Sequence, residues 1–131
     1  MTIYVFGNPD IPEDSLPLRI LPRLRLAFPA ISFEIKDANE EWDVPENLTI
    51  IDTTVGIDSI RVFPDLESFS GAPRVSLHDF DALTQLRYLQ KLGKLKKITI
   101  IGVPPTMAEN EALDAVSKTL CELPSTVISQ R

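Results

Sequence analysis

Three positions in this chain carry side chains that could do chemistry together. Asp14 closes the stretch Gly7-Asn8-Pro9-Asp10-Ile11-Pro12-Glu13-Asp14, Asp52 follows the apolar run Leu48-Thr49-Ile50-Ile51, and His78 stands in Ser76-Leu77-His78-Asp79-Phe80. Two carboxylates and an imidazole suit a borderline divalent metal such as zinc or nickel, with positions left for water or a substrate atom. Each residue also has a plainer use. Asp14 could cap a helix, Asp52 could hydrogen-bond a turn, and His78, the one histidine, could be solvated or structural. Asp10, Glu13 and Asp14 could form an ordinary solvated acidic loop. A phosphate loop is a poor rival for Gly7-Asn8-Pro9, because the glycine spacing and lysine are missing and those three acids would repel an anion.

The elements that must position these residues follow from periodicity. Ile3-Tyr4-Val5-Phe6, Leu48-Thr49-Ile50-Ile51 and Ile98-Thr99-Ile100-Ile101 are short, β-branched and unbroken, and each ends at Gly or Asp. Such runs are strands covered on both faces. Ile31-Ser32-Phe33-Glu34-Ile35 alternates, as a strand nearer an edge does, and Ile60-Arg61-Val62 with Arg74-Val75 forms a weaker antiparallel edge piece. Helical stripes lie between. Leu16, Ile20, Leu24 and Ala27 form the first, with Asp14 or Ser15 as its cap and a kink expected at Pro22. Phe80, Leu83, Leu86, Leu89 and Leu92 form the second, closed by Gly93. Ala112, Leu113, Val116, Leu120 and Leu123 form the third, stopped by Pro124, with Cys121 expected in the core beside it. This order predicts an α/β three-layer sandwich: a twisted, mostly parallel sheet with an antiparallel edge strand and helices on both faces. Ligands of such sheets collect outside the carboxyl ends of the strands, an edge on which all three candidate residues could converge although they are far apart in sequence.

The composition narrows the classes. The chain has 131 residues, 44% of them hydrophobic and 24% charged, which predicts one globular domain over 1–131. With 13 basic and 19 acidic residues the net charge is −6, a poor balance for holding nucleic acid or an anionic membrane. No apolar run reaches the ~18–20 residues of a membrane span, and the start lacks a signal peptide's basic residues. A lone Cys121 forbids an internal disulfide and a thiolate-clustered zinc site. A cytoplasmic monomer without nucleic-acid or membrane partners is expected.

Taken in order, the motifs resemble a known family. Phe6-Gly7-Asn8-Pro9 followed by Glu13-Asp14, with Arg19 on the next helix, resembles the opening of the nickel–iron hydrogenase maturation endopeptidases, typically Gly-Asn-x-x-x-x-Asp-(Asp/Glu)-Gly and then a Val-Arg pair. Ile50-Ile51-Asp52-Thr53-Thr54 resembles the family's third strand, which ends in Asp-Ala. Gly56 to Val62 resembles its Pro-Gly-x-(Val/Ile)-Arg segment, Ser76-Leu77-His78-Asp79 its (Ser/Thr)-x-His motif, and Ile98 to Pro105 its closing strand and Gly-x-x-Pro turn. The resemblance implies a peptide hydrolase that removes the C-terminal extension of a nickel–iron hydrogenase large-subunit precursor once nickel is inserted. It implies Asp14, Asp52 and His78 as the residues that recognise nickel presented by the substrate, with zinc or cadmium able to stand in for it in vitro.

Two departures bear on the outcome. The family continues its second strand into Asp-Gly-Gly-(Thr/Ser) and an extra helix, whereas here Asp37 is followed by Ala38-Asn39-Glu40-Glu41-Trp42 and the next strand begins roughly ten residues on, too soon for a helix with two connections. Ser15 and Pro17 stand where glycines are usual in the first motif and beyond it, which stiffens that loop's exit. The base for hydrolysis is expected to be Asp14 or Asp37. Two other functions fit the same residues: a non-cleaving chaperone or metal-sensing binding module for the large subunit, and an acid-lined small-molecule hydrolase.

Overall fold

The computed structural model describes residues 2–36, 42–70 and 77–123, without the side chains of 70 and 77–83. Five strands form one sheet: β1 (Thr2–Val5), β2 (Ser32–Ile35), β3 (Asn47–Thr53), β4 (Arg61–Phe63) and β5 (Lys97–Val103), in the order β2-β1-β3-β5-β4. All pairings are parallel except β4 with β5. Helices α1 (Leu16–Ala27), α2 (Leu66–Ser70), α3 (Leu77–Lys91) and α4 (Glu109–Glu122) supply the outer layers. The expected three-layer architecture with one antiparallel edge strand is the one found. Arg74-Val75 and Pro124 with the tail lie outside the described residues, and the side chains of Phe80 and Leu83 do as well.

Alternation along the central strands divides the core in two. Tyr4, Phe6, Leu48, Ile50, Ile98 and Ile100 join Phe63, Leu66, Phe69, Leu86 and Leu89 on the face of α2 and α3. Ile3, Val5, Ile51, Ile101 and Val103 join Leu16, Ile20, Leu24, Val116 and Leu120 on the face of α1 and α4. Each such side chain, once fully buried, contributes ~1.5–3 kcal/mol against exposure, so a one-residue slip of any central strand would forfeit both faces at once.

Local chemistry explains where the elements begin and where the expectations miss. α1 carries Pro17 in its first turn, where a missing N–H is harmless, and runs continuously past Pro22, which faces out. Ala27 is exposed, and Leu21 takes its place in the buried stripe. Cys121 is exposed, a correction with a simple cause: Val116 and Leu120 face inward four residues apart, and the next residue is turned ~100° away. α2 went unanticipated because five residues are too few to show a period. Asp65 starts it by accepting the Ser68 N–H at 2.7 Å, which with the Ser68 hydroxyl holds its carboxyl below the usual carboxylate range. Leu66 and Phe69 then face inward together, with the Phe69 ring 5.2 Å from Phe63.

The connection from β2 to β3 carries no helix among its described residues. Trp42 covers that part of β1 instead, with its ring 6.3 Å from Tyr4 and 5.2 Å from Phe6, while the Tyr4 hydroxyl donates to the Asp43 carbonyl at 3.0 Å. One indole thus shields the apolar surface that a crossover helix would otherwise cover.

Candidate functional site at the carboxyl edge of the sheet

The chain leaves β1 for β2 on one side and later enters β3 and β5 on the other, so the strand order reverses between β1 and β3. Loops from neighbouring strands diverge to opposite faces at such a point and open a crevice at the carboxyl edge. Asp14 and Asp52 belong to the two segments that leave β1 and β3 there. Register brings the segments together: Val5 pairs with Ile51, and the Phe6 N–H donates to the Ile51 carbonyl at 3.0 Å.

Asp14 is fixed by a tight loop. Asn8 accepts the Asp10 N–H on its side-chain oxygen at 2.9 Å, its carbonyl accepts the Ile11 N–H at 3.2 Å, and its own N–H donates to the Asp14 carbonyl at 2.8 Å. Residues Pro12–Asp14 make a single 3-10 turn ending at Ser15, which leads into α1. The fold therefore uses Asp14 in this turn, and Ser15 is the residue before α1, although its side chain does not cap that helix. Its hydroxyl instead donates to the Pro12 carbonyl and accepts from Arg19 Nε, both at 3.0 Å. Gly7 permits the closure: a Cβ there would lie 2.8 Å from the Asp14 carbonyl oxygen.

Asp52 is held by the sheet. It lies opposite Gly102 of β5, on the α2/α3 side of the alternation, and one of its carboxylate oxygens accepts the Thr53 N–H at 2.8 Å. This bond is made within β3 and not to a turn, and the carboxylate that makes it is only 4% exposed. Asp14 is 8% exposed. Among the described residues these are the two buried carboxylates; the other buried polar side chains are hydroxyls. An ion taken out of water costs several kcal/mol after relaxation, so a pair of buried acids at a switch point is better explained by use than by stability.

His78 lies in the first turn of α3, with its side chain outside the described residues. Topology sets the end of the sheet at which it stands. The amino end of β5 is tied to the amino end of β3 through the Lys96 and Lys97 N–H groups, which donate to the Glu46 carbonyl at 2.8 and 2.9 Å. α3 ends just before that point, and its 15 residues span about 22 Å, against about 23 Å for the seven residues of β5. Packed back along β5, α3 begins near the carboxyl edge, on the face that Asp52 shares. Asp37 lies outside the described residues. Among the described residues no group of three His, Cys, Asp or Glu could hold a metal ion, and His78 is not among the side chains that statement covers.

Sequence reasoning missed two features of this edge. The hydroxyls of Thr53 and Thr54, directly after Asp52, are buried and have no hydrogen-bond partner among the described residues. Gly102 is seated against Thr54: a Cβ there would lie 2.5 Å from Thr54 Oγ1 and 2.9 Å from the Phe63 ring. A glycine inside a β-branched strand was the available signal, since it marks a close approach.

The fold and this edge define a class: a doubly wound α/β protein with an acidic switch point. No family model matches the chain, and no curated protein does. Its fold is shared by solved structures. One is the hydrogenase maturating endopeptidase HybD from E. coli, at 20% identity and a TM-score of 0.62, covering 96% of this chain and 94% of that one. Another is an endopeptidase from Escherichia coli solved in solution, at 17% identity and a TM-score of 0.63 over the whole of both chains.

Proposed function

We propose that this chain is an endopeptidase of hydrogenase maturation, removing the C-terminal extension of a nickel–iron hydrogenase large-subunit precursor after nickel insertion. The observation that carries the reading is the pair of buried carboxylates, Asp14 and Asp52, on adjacent strand exits at the switch point. Ordered motif resemblance along the chain and a fold shared with two endopeptidases support it.

In this reading the nickel held by the client's active site is part of the substrate, and Asp14, Asp52 and His78 recognise it. Carboxylate and imidazole donors suit that ion, and their contact seats the scissile bond beside an acidic group. Water adds to the peptide carbonyl as a carboxylate, Asp14 or Asp37, takes its proton; the proton then passes to the departing amine. Recognition of the loaded ion couples cleavage to successful metal insertion. Zinc or cadmium substitutes for nickel in binding measurements.

The test is to incubate the protein with nickel-loaded and nickel-free precursor and weigh the products. Loss of the extension from the loaded form alone is expected. Equal shortening of both forms would remove the gating role, and full activity in His78→Ala would remove the trio.

One observation favours a second reading. The β2–β3 connection has no helix among its described residues, with Trp42 covering the strand instead, so the wall beside the site is altered. A non-cleaving chaperone or metal-sensing module would bind the precursor and leave its mass unchanged.

A further inference from the structure

Gly102 occupies the middle of a cross-strand row. It pairs with Asp52 of β3 on one side and with Arg61 of β4 on the other. Cross-strand partners share a face, and Arg61 lies two residues before Phe63, which is buried on the α2/α3 side. The Arg61 guanidinium carbon lies 5.3 Å from the Phe63 ring centroid, which confirms the side. The row therefore presents a carboxylate, a bare glycine and a guanidinium in sequence across about 10 Å of sheet, two strand spacings. Thr54 Oγ1 and the Phe63 ring occupy the space over the glycine, at 2.5 and 2.9 Å from where a Cβ would stand, so the middle position of the row contributes no side chain of its own.

Two other cations among the described residues near this edge are engaged. Arg19 pairs with Glu109 at 3.6 Å, and Lys36 with Glu34 at 3.4 Å. Arg61 is exposed and has no ion pair among the described residues. Stacking on Phe63 orients its planar fork without using its N–H donors, which leaves them ready for a two-pronged contact. Asp10, Glu13, Asp14 and Asp52 make the surroundings acidic and repel an anionic group of a ligand, whereas Arg61, among the described residues, attracts one. An exposed guanidinium suits ground-state binding; a group that stabilises a reacting oxyanion works best sheltered from water.

We infer that Arg61 is a specificity-determining residue that binds a carboxylate of the peptide substrate, within about three extended residues of the group held at Asp52. The assignment rests on the endopeptidase reading above. The carboxylate comes from an Asp or Glu side chain of the client or from its chain terminus, and the two sources are separable by experiment.

The experiment measures cleavage of nickel-loaded precursor by wild type, Arg61→Ala and Arg61→Lys, with melting temperatures as a control on folding. Arg61→Ala should raise KM about tenfold and leave kcat within about twofold, and Arg61→Lys should recover part of the loss. Neutralising Asp and Glu residues near the client's cleavage site should raise the wild-type KM equally and add nothing to Arg61→Ala. The same pattern on amidating the client's C-terminus would assign the terminal carboxylate. An unchanged KM in Arg61→Ala, a fall in kcat alone, or penalties that add in full would overturn the assignment. If wild type fails to cleave, precursor Kd replaces KM as the readout. Tenfold weaker binding by Arg61→Ala then upholds Arg61 while the endopeptidase reading falls, and absence of precursor binding by wild type sinks both.

Discussion

The two edges of the sheet are built on opposite terms. At the amino edge, the turn after α3 reverses on Gly93 at φ 78°, Leu95 is buried, and the backbone of Lys96 and Lys97 closes on Glu46. Its charges stay in water: Lys96 and Glu46 form an ion pair at 2.9 Å with 65% and 66% of their side chains exposed. At the carboxyl edge, among the described residues, two carboxylates are buried, two threonine hydroxyls lack partners, and two glycines admit contacts that a Cβ would block. Both edges belong to the same strands and the same core. The fold can therefore close a sheet end with exposed charge and satisfied backbone, and the unfavourable features gathered at the other end point to chemistry.

Substitution should break this contrast in graded steps. The largest effect belongs to Asp14→Asn and Asp52→Asn, each of which should lower cleavage of the precursor by at least about 10²-fold. Because each removes a buried charge of nearly unchanged shape, the melting temperature should hold or rise; a large fall in both would make these acids structural. Gly102→Ala comes next. It drives a methyl into Thr54 Oγ1 and the Phe63 ring and should cost about 1–3 kcal/mol in denaturant unfolding, with part recovered in the Gly102→Ala/Thr54→Ala double variant. Thr54→Val should act in the other direction, gaining roughly 1 kcal/mol by removing an unpartnered buried hydroxyl. At the opposite edge, Lys96→Ala should change stability by less than about 0.5 kcal/mol and leave cleavage as it was, since the pair it breaks is solvated.

The same contrast accounts for what could be read in advance. Strands β1, β3 and β5 were legible because burial on both faces demands continuous apolar runs, and burial is written in composition. The placement of Asp14 and Asp52 at the carboxyl edge was legible because each follows an apolar run that had to be a strand of the parallel sheet. α2 was not, since its one turn depends on the Asp65 cap and on Phe69 meeting Phe63 across the chain. Cys121 was misplaced because a helix position beside an apolar stripe differs from one within it by a single residue. The unpartnered hydroxyls of Thr53 and Thr54 left no trace in sequence; whether a threonine in a strand finds a partner is decided by its neighbours in space. Arg61 drew notice as part of an edge strand and of a motif, and its alignment with Asp52 emerged from the register of β5 with both neighbours.

The central claim is that one histidine and two buried acids meet at the switch point. A crystal soaked with cadmium, as a stand-in for nickel, tests it most directly. Anomalous density bounded by the Asp14 and Asp52 carboxylates and the His78 imidazole is the expected result. A His78 ring remote from both carboxylates, with the metal elsewhere or absent, would contradict it.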